Sequence, residues 1–337
     1  MTVDKPILEV WRGLAAIMVV LAHYGPALTW QGPVTSLSFT GVDFFFVISG
    51  FVFGPVLFGQ STQNWLAFGV RRATRILPAY WLALAGYVAL HWHQHQSTGP
   101  WGLHLLFLQL ESRETAFALN PAFWSLVPEV QFYMAMPLLV WVIRGSEQRL
   151  WLIIIGALSM RIWLSLEADR DAANWAFLML HQLPGMLIEF LIGTLVWAWS
   201  RYCHQSIVPL LCGLSGFLGW SLLALWFHAE GNGIESRTGV AGASLLASIF
   251  AASMVFFSLR VRASSAMRIC GRWLGGLSYP LYLLHLGPLM VWPHQPALAL
   301  VASLVIALAT HLFFEEPLRA WGRQISQHMN ARSKHVR

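Results

Sequence analysis

Apolar stretches long enough to cross about 30 Å of hydrocarbon recur along the whole chain. They predict membrane-spanning helices at residues 9–29, 38–59, 74–91, 124–143, 150–166, 182–200, 207–228, 239–258, 273–293 and 295–314. The apolar stretch 101–110 is too short to span, and we expect it to be interfacial or re-entrant. The pattern therefore predicts an all-α, polytopic membrane protein with about ten transmembrane helices.

The composition agrees with one integral membrane domain. Of the 337 residues, 57% are hydrophobic and only 11% are charged, whereas a soluble domain carries about 25% charged residues. The first apolar run is longer than the h-region of a signal peptide and lacks an A-x-A cleavage site, so we expect a retained first helix. We assign residues 1–325 to the membrane domain and residues 326–337 to a basic cytoplasmic tail.

Lysine and arginine fall almost entirely on one side of the predicted helices. With the N-terminus in the cytoplasm, the outer loops hold only Arg113, Arg170 and Arg237, while Arg161 lies within a span. This bias follows the positive-inside rule and predicts that both termini are cytoplasmic. It also accounts for the net charge of +6 without a nucleic-acid partner.

Arg12 and His23 both lie inside the first predicted helix. An ionisable residue within a membrane helix is energetically costly and is therefore a candidate functional residue. Their spacing of eleven residues is close to three helical turns, or roughly 16 Å, so both side chains share one helix face. We expect them to face the same internal cavity.

Four further segments place polar or ionisable residues within apolar helices. They are GVDFFFVISGF at 41–51, RRATRILPAY at 71–80, FWSLVPEVQFY at 123–133 and GLSYPLYLLH at 276–285. Taken with the first helix, and in this order, they resemble the acyltransferase-3 family of bacterial membrane proteins, the OafA-like O-acyltransferases. The resemblance covers about residues 7–320.

The matching residues are Arg12, Gly13, Leu14, Ala15 and His23; Phe45, Phe46, Ser49, Gly50 and Phe51; Arg72, Arg75, Pro78 and Tyr80; Trp124, Ser125, Leu126, Glu129, Phe132 and Tyr133; Ser278, Tyr279, Tyr282, Leu283 and His285; and Glu315, Glu316 and Pro317. Pro128 departs from the family pattern. We expect it to kink the fourth helix and to displace the carboxylate of Glu129.

The resemblance implies transfer of an acyl group, usually acetyl, from an acyl-CoA donor to a sugar hydroxyl of a cell-envelope or secreted polysaccharide. It implies acetyl-CoA as donor substrate, no metal, and a bacterial inner membrane location. The implied partners are the lipid bilayer, a glycan or lipid-linked oligosaccharide acceptor, and polysaccharide assembly machinery. Two alternatives stay open: a transporter or flippase of a polysaccharide precursor, since buried ionisable residues also mark transport pathways, and a structural subunit of a polysaccharide synthase.

Within this interpretation His23 is the general base, because imidazole is suited to taking a proton from a hydroxyl at neutral pH. Its partner is expected to be a carboxylate, either Asp43 or Glu129, and the sequence does not choose between them. The anionic donor is expected to bind four basic residues on the cytoplasmic side, because guanidinium groups bind phosphate bidentately. These residues are Arg12, Arg71, Arg72 and Arg75.

The candidate substrate-binding residues are Ser49, Tyr133, Tyr282 and His285. The three hydroxyl groups among them are candidates for donating a hydrogen bond to the oxyanion that forms on the thioester. Purely structural roles remain open for all these residues: arginines as interfacial anchors or positive-inside residues, and histidines and glutamates as interhelical hydrogen-bonding groups.

Arg161 and Glu189, in neighbouring spans, are predicted to form a structural ion pair. The histidines at 91, 93, 95 and 104 either bind a metal or belong to an exposed polar loop. The three cysteines show no paired spacing, so neither a disulfide framework nor a zinc site is predicted.

Overall fold

The computed structural model describes residues 5–59, 64–169, 174–203, 207–231 and 239–335, which form helices and turns with no strand. Its α-helices are α1 (Lys5–Ala27), α2 (Pro33–Leu37), α3 (Gly41–Leu57), α4 (Trp65–His93), α5 (Gly102–Leu105), α6 (Arg113–Phe117), α7 (Leu126–Ile143), α8 (Glu147–Glu167), α9 (Trp175–Leu180), α10 (Leu183–Cys203), α11 (Val208–Ala229), α12 (Gly239–Phe257), α13 (Ser265–Leu284), α14 (Leu286–Val291), α15 (Pro296–Thr310) and α16 (Glu316–His335).

Ten helical segments in the described ranges are long and apolar enough to cross a membrane, so the predicted number of spans is confirmed. The observed segments overlap the predicted ones one for one, and several are longer, such as Trp65–His93. The protein is therefore a multi-pass membrane protein. We call the end of the bundle at which α1 and α4 begin the basic side, and the other end the opposite side. Arg170 and Arg237 lie outside the described residues.

Close backbone approach between α3 and α10 forms the centre of the bundle. A Cβ on Gly50 would overlap the carbonyl oxygen of Phe190, and a Cβ on Gly193 would overlap that of Val47. Only glycine at both positions allows this contact, which is the usual way in which membrane helices pack tightly. On the other face of α3 lies α1, which also packs along α13.

The segment 101–110 turns back into the bundle, as the re-entrant interpretation predicts. The hydroxyl of Tyr80 donates to the carbonyl oxygen of His104 over 3.0 Å, and the Tyr80 ring stacks on Phe107 at 4.6 Å between centroids. Tyr80 lies thirteen residues, or roughly 20 Å, before the end of α4 on the opposite side. The short helix α5 therefore packs inside the bundle without crossing it.

The expected kink at Pro128 was wrong. A 3₁₀ turn, Pro121–Ser125, precedes α7, and α7 begins at Leu126, so Pro128 falls in its first turn. The backbone N–H groups of a first helical turn have no intrahelical acceptor, and a proline there interrupts nothing. The side chain of Asn120 fixes this turn by donating to the carbonyl oxygen of Leu283 on α13 over 2.9 Å.

A buried charged cluster joins α3, α8, α10 and α12. The guanidinium of Arg161 lies 3.3 Å from a carboxylate oxygen of Glu189, and both side chains are buried, which confirms the predicted ion pair. Ser244 donates to Asp43 over 2.6 Å, and its hydroxyl also lies 3.4 Å from Glu189. One guanidinium thus compensates two carboxyl groups, which is electrically neutral when they share one proton.

Replacing Arg161 with leucine should destabilise the folded protein strongly, because two buried carboxyl groups lose the one cationic partner that they have among the described residues. Removing one member of a buried ion pair costs about 3–5 kcal/mol. Thermal unfolding in detergent, followed by tryptophan fluorescence, should show a clear drop in Tm, and Arg161→Leu/Glu189→Leu should recover most of it. Arg262→Leu, at an exposed position, is the control. Unfolding of Arg161→Leu at the wild-type temperature would contradict this account.

Candidate active site

A large cavity of about 1650 Å³ opens on the opposite side of the bundle. Its wall combines aromatic and polar side chains from α1, α2, α6 and the segments around α9 and α12. Among the lining residues are Trp30, Phe117, Trp124, Phe177, Gln31, Arg113, Glu114, Asp169, His181 and His228. Three of the predicted site residues also line it: His23, Asp43 and Tyr282. The structure thus brings these three together from α1, α3 and α13.

His23 is half-buried, and its ring contacts a second histidine. Its Nδ1 lies 2.9 Å from the carbonyl oxygen of Val19, one helical turn earlier, and 3.1 Å from Nε2 of His285. The two ring centroids are 5.0 Å apart. His285 is 0% exposed and lies behind His23 rather than on the cavity wall. Only the edge of the His23 ring that points away from His285 can therefore face the cavity.

Neither predicted carboxylate contacts His23 in the described structure. Asp43 is buried, and its carboxylate accepts from Ser244 within the cluster around Arg161. Glu129 accepts a short hydrogen bond from Tyr133, one turn later on α7. The residue in hydrogen-bond contact with the His23 ring is His285 instead.

The four predicted donor-binding arginines lie on the basic side and have different surroundings. Arg12 pairs with Glu9 at 3.2 Å, and Arg71 hydrogen-bonds to Ser326 on α16. Arg72 lies over three aromatic rings, Phe53, Phe68 and Tyr133, at 5.2, 5.9 and 5.7 Å. Arg75 interacts electrostatically with the three carboxylates of Glu9, Glu129 and Glu315.

A further arginine, which the sequence motifs did not indicate as a site residue, contacts one of these carboxylates. Arg319 lies 3.3 Å from Glu315, which also contacts His311 at 3.1 Å. His311 begins a π-helical turn, His311–Glu315, between α15 and α16. Such turns are frequent at functional sites, and the acidic pair at the end of the family pattern was the signal that could have located it.

The remaining hydroxyl candidates separate into two groups. Tyr282 is buried at the cavity floor, with its hydroxyl bonded to Ser125 and to the carbonyl oxygen of Ala122. Ser49 and Tyr133 are half-buried and are not among the described residues that line the cavity. Of these three residues, only Tyr282 lines the same cavity as His23.

The four histidines at 91, 93, 95 and 104 do not come together at one site. His91 and His104 are buried and hydrogen-bond to the carbonyl oxygens of Tyr87 and Thr115, while His93 and His95 are exposed. Within the described ranges, no group of three or more His, Cys, Asp or Glu side chains is arranged to hold a metal ion.

A family model described as an acyltransferase domain matches residues 6–319, nearly the whole chain. The chain belongs to the acyltransferase-3 family. The matched range includes every predicted site residue, from Arg12 to His285.

Two curated relatives match over most of the chain. YrhL of Bacillus subtilis, whose name proposes a peptidoglycan O-acetyltransferase, is 25% identical over 94% of this chain and 55% of its own length. The chain thus spans about half of that relative. The exopolysaccharide production protein ExoZ of Rhizobium meliloti is 27% identical over 84% of this chain and 90% of its own length. No solved structure matches the chain significantly.

Proposed function

We propose that this acyltransferase is an inner-membrane O-acyltransferase that moves an acyl group, most simply acetyl, from acyl-CoA to a sugar hydroxyl of a cell-envelope or secreted polysaccharide. The observation that carries the proposal is the position of His23. Its imidazole lines a large cavity, and the same helix carries Arg12 closer to the basic side.

The cavity suits a glycan acceptor. Its volume of about 1650 Å³ exceeds the range of about 300–1,000 Å³ that is typical of small-molecule pockets. Aromatic faces such as Trp30 and Trp124 match the C–H faces of sugar rings, and polar groups such as Gln31 and Glu114 match their hydroxyl groups. The names of both relatives refer to envelope or secreted glycans, which supports an acceptor of this class.

The basic side suits a polyanionic donor. Arg75 and Arg12 lie among carboxylates, and phosphate groups of a coenzyme A thioester would compete for the same guanidinium groups. Arg72 has a buried Nε–H with no hydrogen-bond partner among the described residues, and is thus available to an anion. The gap from Arg12 to His23, roughly 16 Å along α1, calls for a donor whose reactive carbonyl lies at the end of a long thin arm.

The reaction balances with groups at the cavity floor. His23 takes the proton of the acceptor hydroxyl as its oxygen forms the new C–O bond, the C–S bond of the thioester breaks, and the departing thiolate receives that proton. Tyr282 is the predicted hydroxyl that lines the cavity, and its O–H would have to turn from the carbonyl oxygen of Ala122 to donate to the developing oxyanion. Transfer through an acyl-His23 intermediate is the second route that this geometry allows.

Replacing His23 with alanine should lower transfer by orders of magnitude, because His285 does not line the cavity and the other lining histidines, His181 and His228, are hydrogen-bonded to Phe177 and Ser36. General-base catalysis contributes about 10²–10⁴-fold. Purified protein, labelled acetyl-CoA and a glycan extract should give labelled glycan with the wild type only. If label never leaves the thioester while a glycolipid crosses the bilayer, the transporter interpretation is correct. If His23→Ala leaves polymer acylation unchanged, a structural role in a synthase is favoured.

Replacing Arg75 with alanine should weaken donor binding more than acceptor binding. Loss of a charge-assisted contact to phosphate costs roughly 1.5–3 kcal/mol, or about 10- to 150-fold in the KM for acyl-CoA. The KM for the glycan should change little, because Arg75 does not line the cavity. Arg149→Ala removes an exposed arginine on the same side and is the matched control. An equal rise in both KM values would argue against a donor site at Arg75.

The orientation can be tested by labelling single cysteines. In a variant with serine at Cys203, Cys212 and Cys270, we would introduce Gln31→Cys at the cavity mouth or Gln148→Cys at the basic side. A membrane-impermeant maleimide should label the first in intact spheroplasts and the second only after lysis. The reverse labelling pattern would show that the cavity opens towards the cytoplasm, and it would exclude the proposed orientation.

A further inference from the structure

His23 on the cavity wall and His285 behind it have fixed hydrogen-bond neighbours, and these neighbours determine where the protons of the two rings lie. Nδ1 of His285 lies 2.8 Å from the carbonyl oxygen of Tyr282 and 3.1 Å from that of Leu281. A carbonyl oxygen only accepts, so Nδ1 of His285 carries a proton. Its Nε2 faces Nδ1 of His23 at 3.1 Å.

The same reasoning applies to His23. Its Nδ1 faces the carbonyl oxygen of Val19 at 2.9 Å, which requires a proton on that nitrogen. A hydrogen bond between the two rings then exists only if Nε2 of His285 presents a lone pair. The consistent assignment has Nδ1–H on both rings, with His23 donating to Val19 and His285 together. Nε2 of His23 is left with its lone pair free.

The backbone of His285 is held in place by side chains from two other helices. Its carbonyl oxygen accepts from Tyr24 on α1 over 2.8 Å and from Ser303 on α15 over 3.0 Å. Tyr24 and Ser303 also contact each other at 2.9 Å. Tyr24 directly follows His23 in the chain, so one cluster of three helices fixes both histidines relative to each other.

We propose that His285 is the positioning residue of the catalytic base and takes the place of a carboxylate. It is the second acceptor, beside the carbonyl oxygen of Val19, for the Nδ1–H of His23, and the two acceptors together favour one tautomer and leave the Nε2 lone pair for the cavity. When His23 takes the proton of the acceptor hydroxyl, this hydrogen bond strengthens and stabilises the imidazolium. His285 keeps its own proton throughout. The inference deepens the proposed function and rests on it for its catalytic part.

A structural explanation of His285 makes a different prediction. If the residue only fills space between α1 and α13, any substitution should act through stability, and the tautomer of His23 should not depend on it. If it positions the base, the effect should follow the position of a hydrogen-bond acceptor opposite Nδ1 of His23. Two amide variants separate these possibilities, because glutamine reaches the position of Nε2 and asparagine reaches only that of Nδ1.

His285→Gln should keep kcat within about 10-fold of the wild type, because its amide oxygen can still accept from His23. His285→Asn should lower kcat by about 10²-fold or more, at the scale of lost general-base assistance, with little change in either KM. Tm is measured for both variants. Equal activity losses in the two variants, or losses that follow Tm alone, would overturn the proposal.

The tautomer itself can be measured without any activity assay. Solid-state ¹⁵N NMR of the histidine-labelled wild type in lipid bilayers, with His23→Asn used to assign the signals, should show His23 protonated at Nδ1 and unprotonated at Nε2. In His285→Asn, where the carbonyl oxygen of Val19 is the acceptor that remains for Nδ1–H, signals of the other tautomer should appear beside those of the first. A wild-type His23 protonated at Nε2 would overturn the proposal. This result is independent of whether the acceptor is a polysaccharide.

Discussion

Every polar group within a bilayer must find its partner inside the protein, because no water is present to replace a missing one. This constraint shapes most of the site, and the buried Nε–H of Arg72 is an exception among the described residues. His23 is paired with His285, Arg161 with Glu189, and Glu129 with Tyr133. Each contact satisfies a polar group and fixes the direction of a side chain. The interactions that stabilise the bundle are therefore the same interactions that arrange its chemistry.

The distance between the two sides of the site is set by a single helix. Arg12 and His23 share one face of α1, which packs between α3 and α13. Because a helix is stiff, the spacing of roughly 16 Å cannot adjust to the donor. The proposed donor would therefore have to extend along α1 towards His23. Tyr282 and the alanine of the 3₁₀ turn before α7, Ala122, line the same cavity as His23.

Hydropathy and charge bias predicted the spans, the re-entrant segment and the Arg161–Glu189 pair, because these depend on local composition or on neighbouring helices. The side chains that contact His23 and Asp43 were not predictable in the same way. Asp43 has the depth of a partner for His23, yet Arg161 and Ser244 attract its carboxylate to α12. The rotation of α13 about its axis decides that His285 meets His23, and a sequence alone does not reveal that rotation.

The three arginines of the third span illustrate the same limit. Successive residues are rotated by about 100° around a helix, so Arg71 and Arg72 point in different directions and Arg75 lies between them, about 40° from the first and about 60° from the second. Arg72 accordingly contacts rings of α3 and α7, while Arg71 reaches α16. The motif predicted a basic surface, but arginines that are neighbours in the motif contact different helices. Arg319, far away in sequence, enters the network through Glu315.

A histidine partner has an electrostatic consequence that a carboxylate would not have. A carboxylate beside neutral His23 would bring an extra charge into the bilayer, at a cost of several kcal/mol. With His285 as acceptor, the resting pair is uncharged, and a charge arises only when His23 takes a proton. The Asp43 cluster across the cavity is already balanced by Arg161. Since both a sugar hydroxyl and a thioester carbonyl are uncharged, the cavity floor matches its reactants before the reaction and becomes polar only during it.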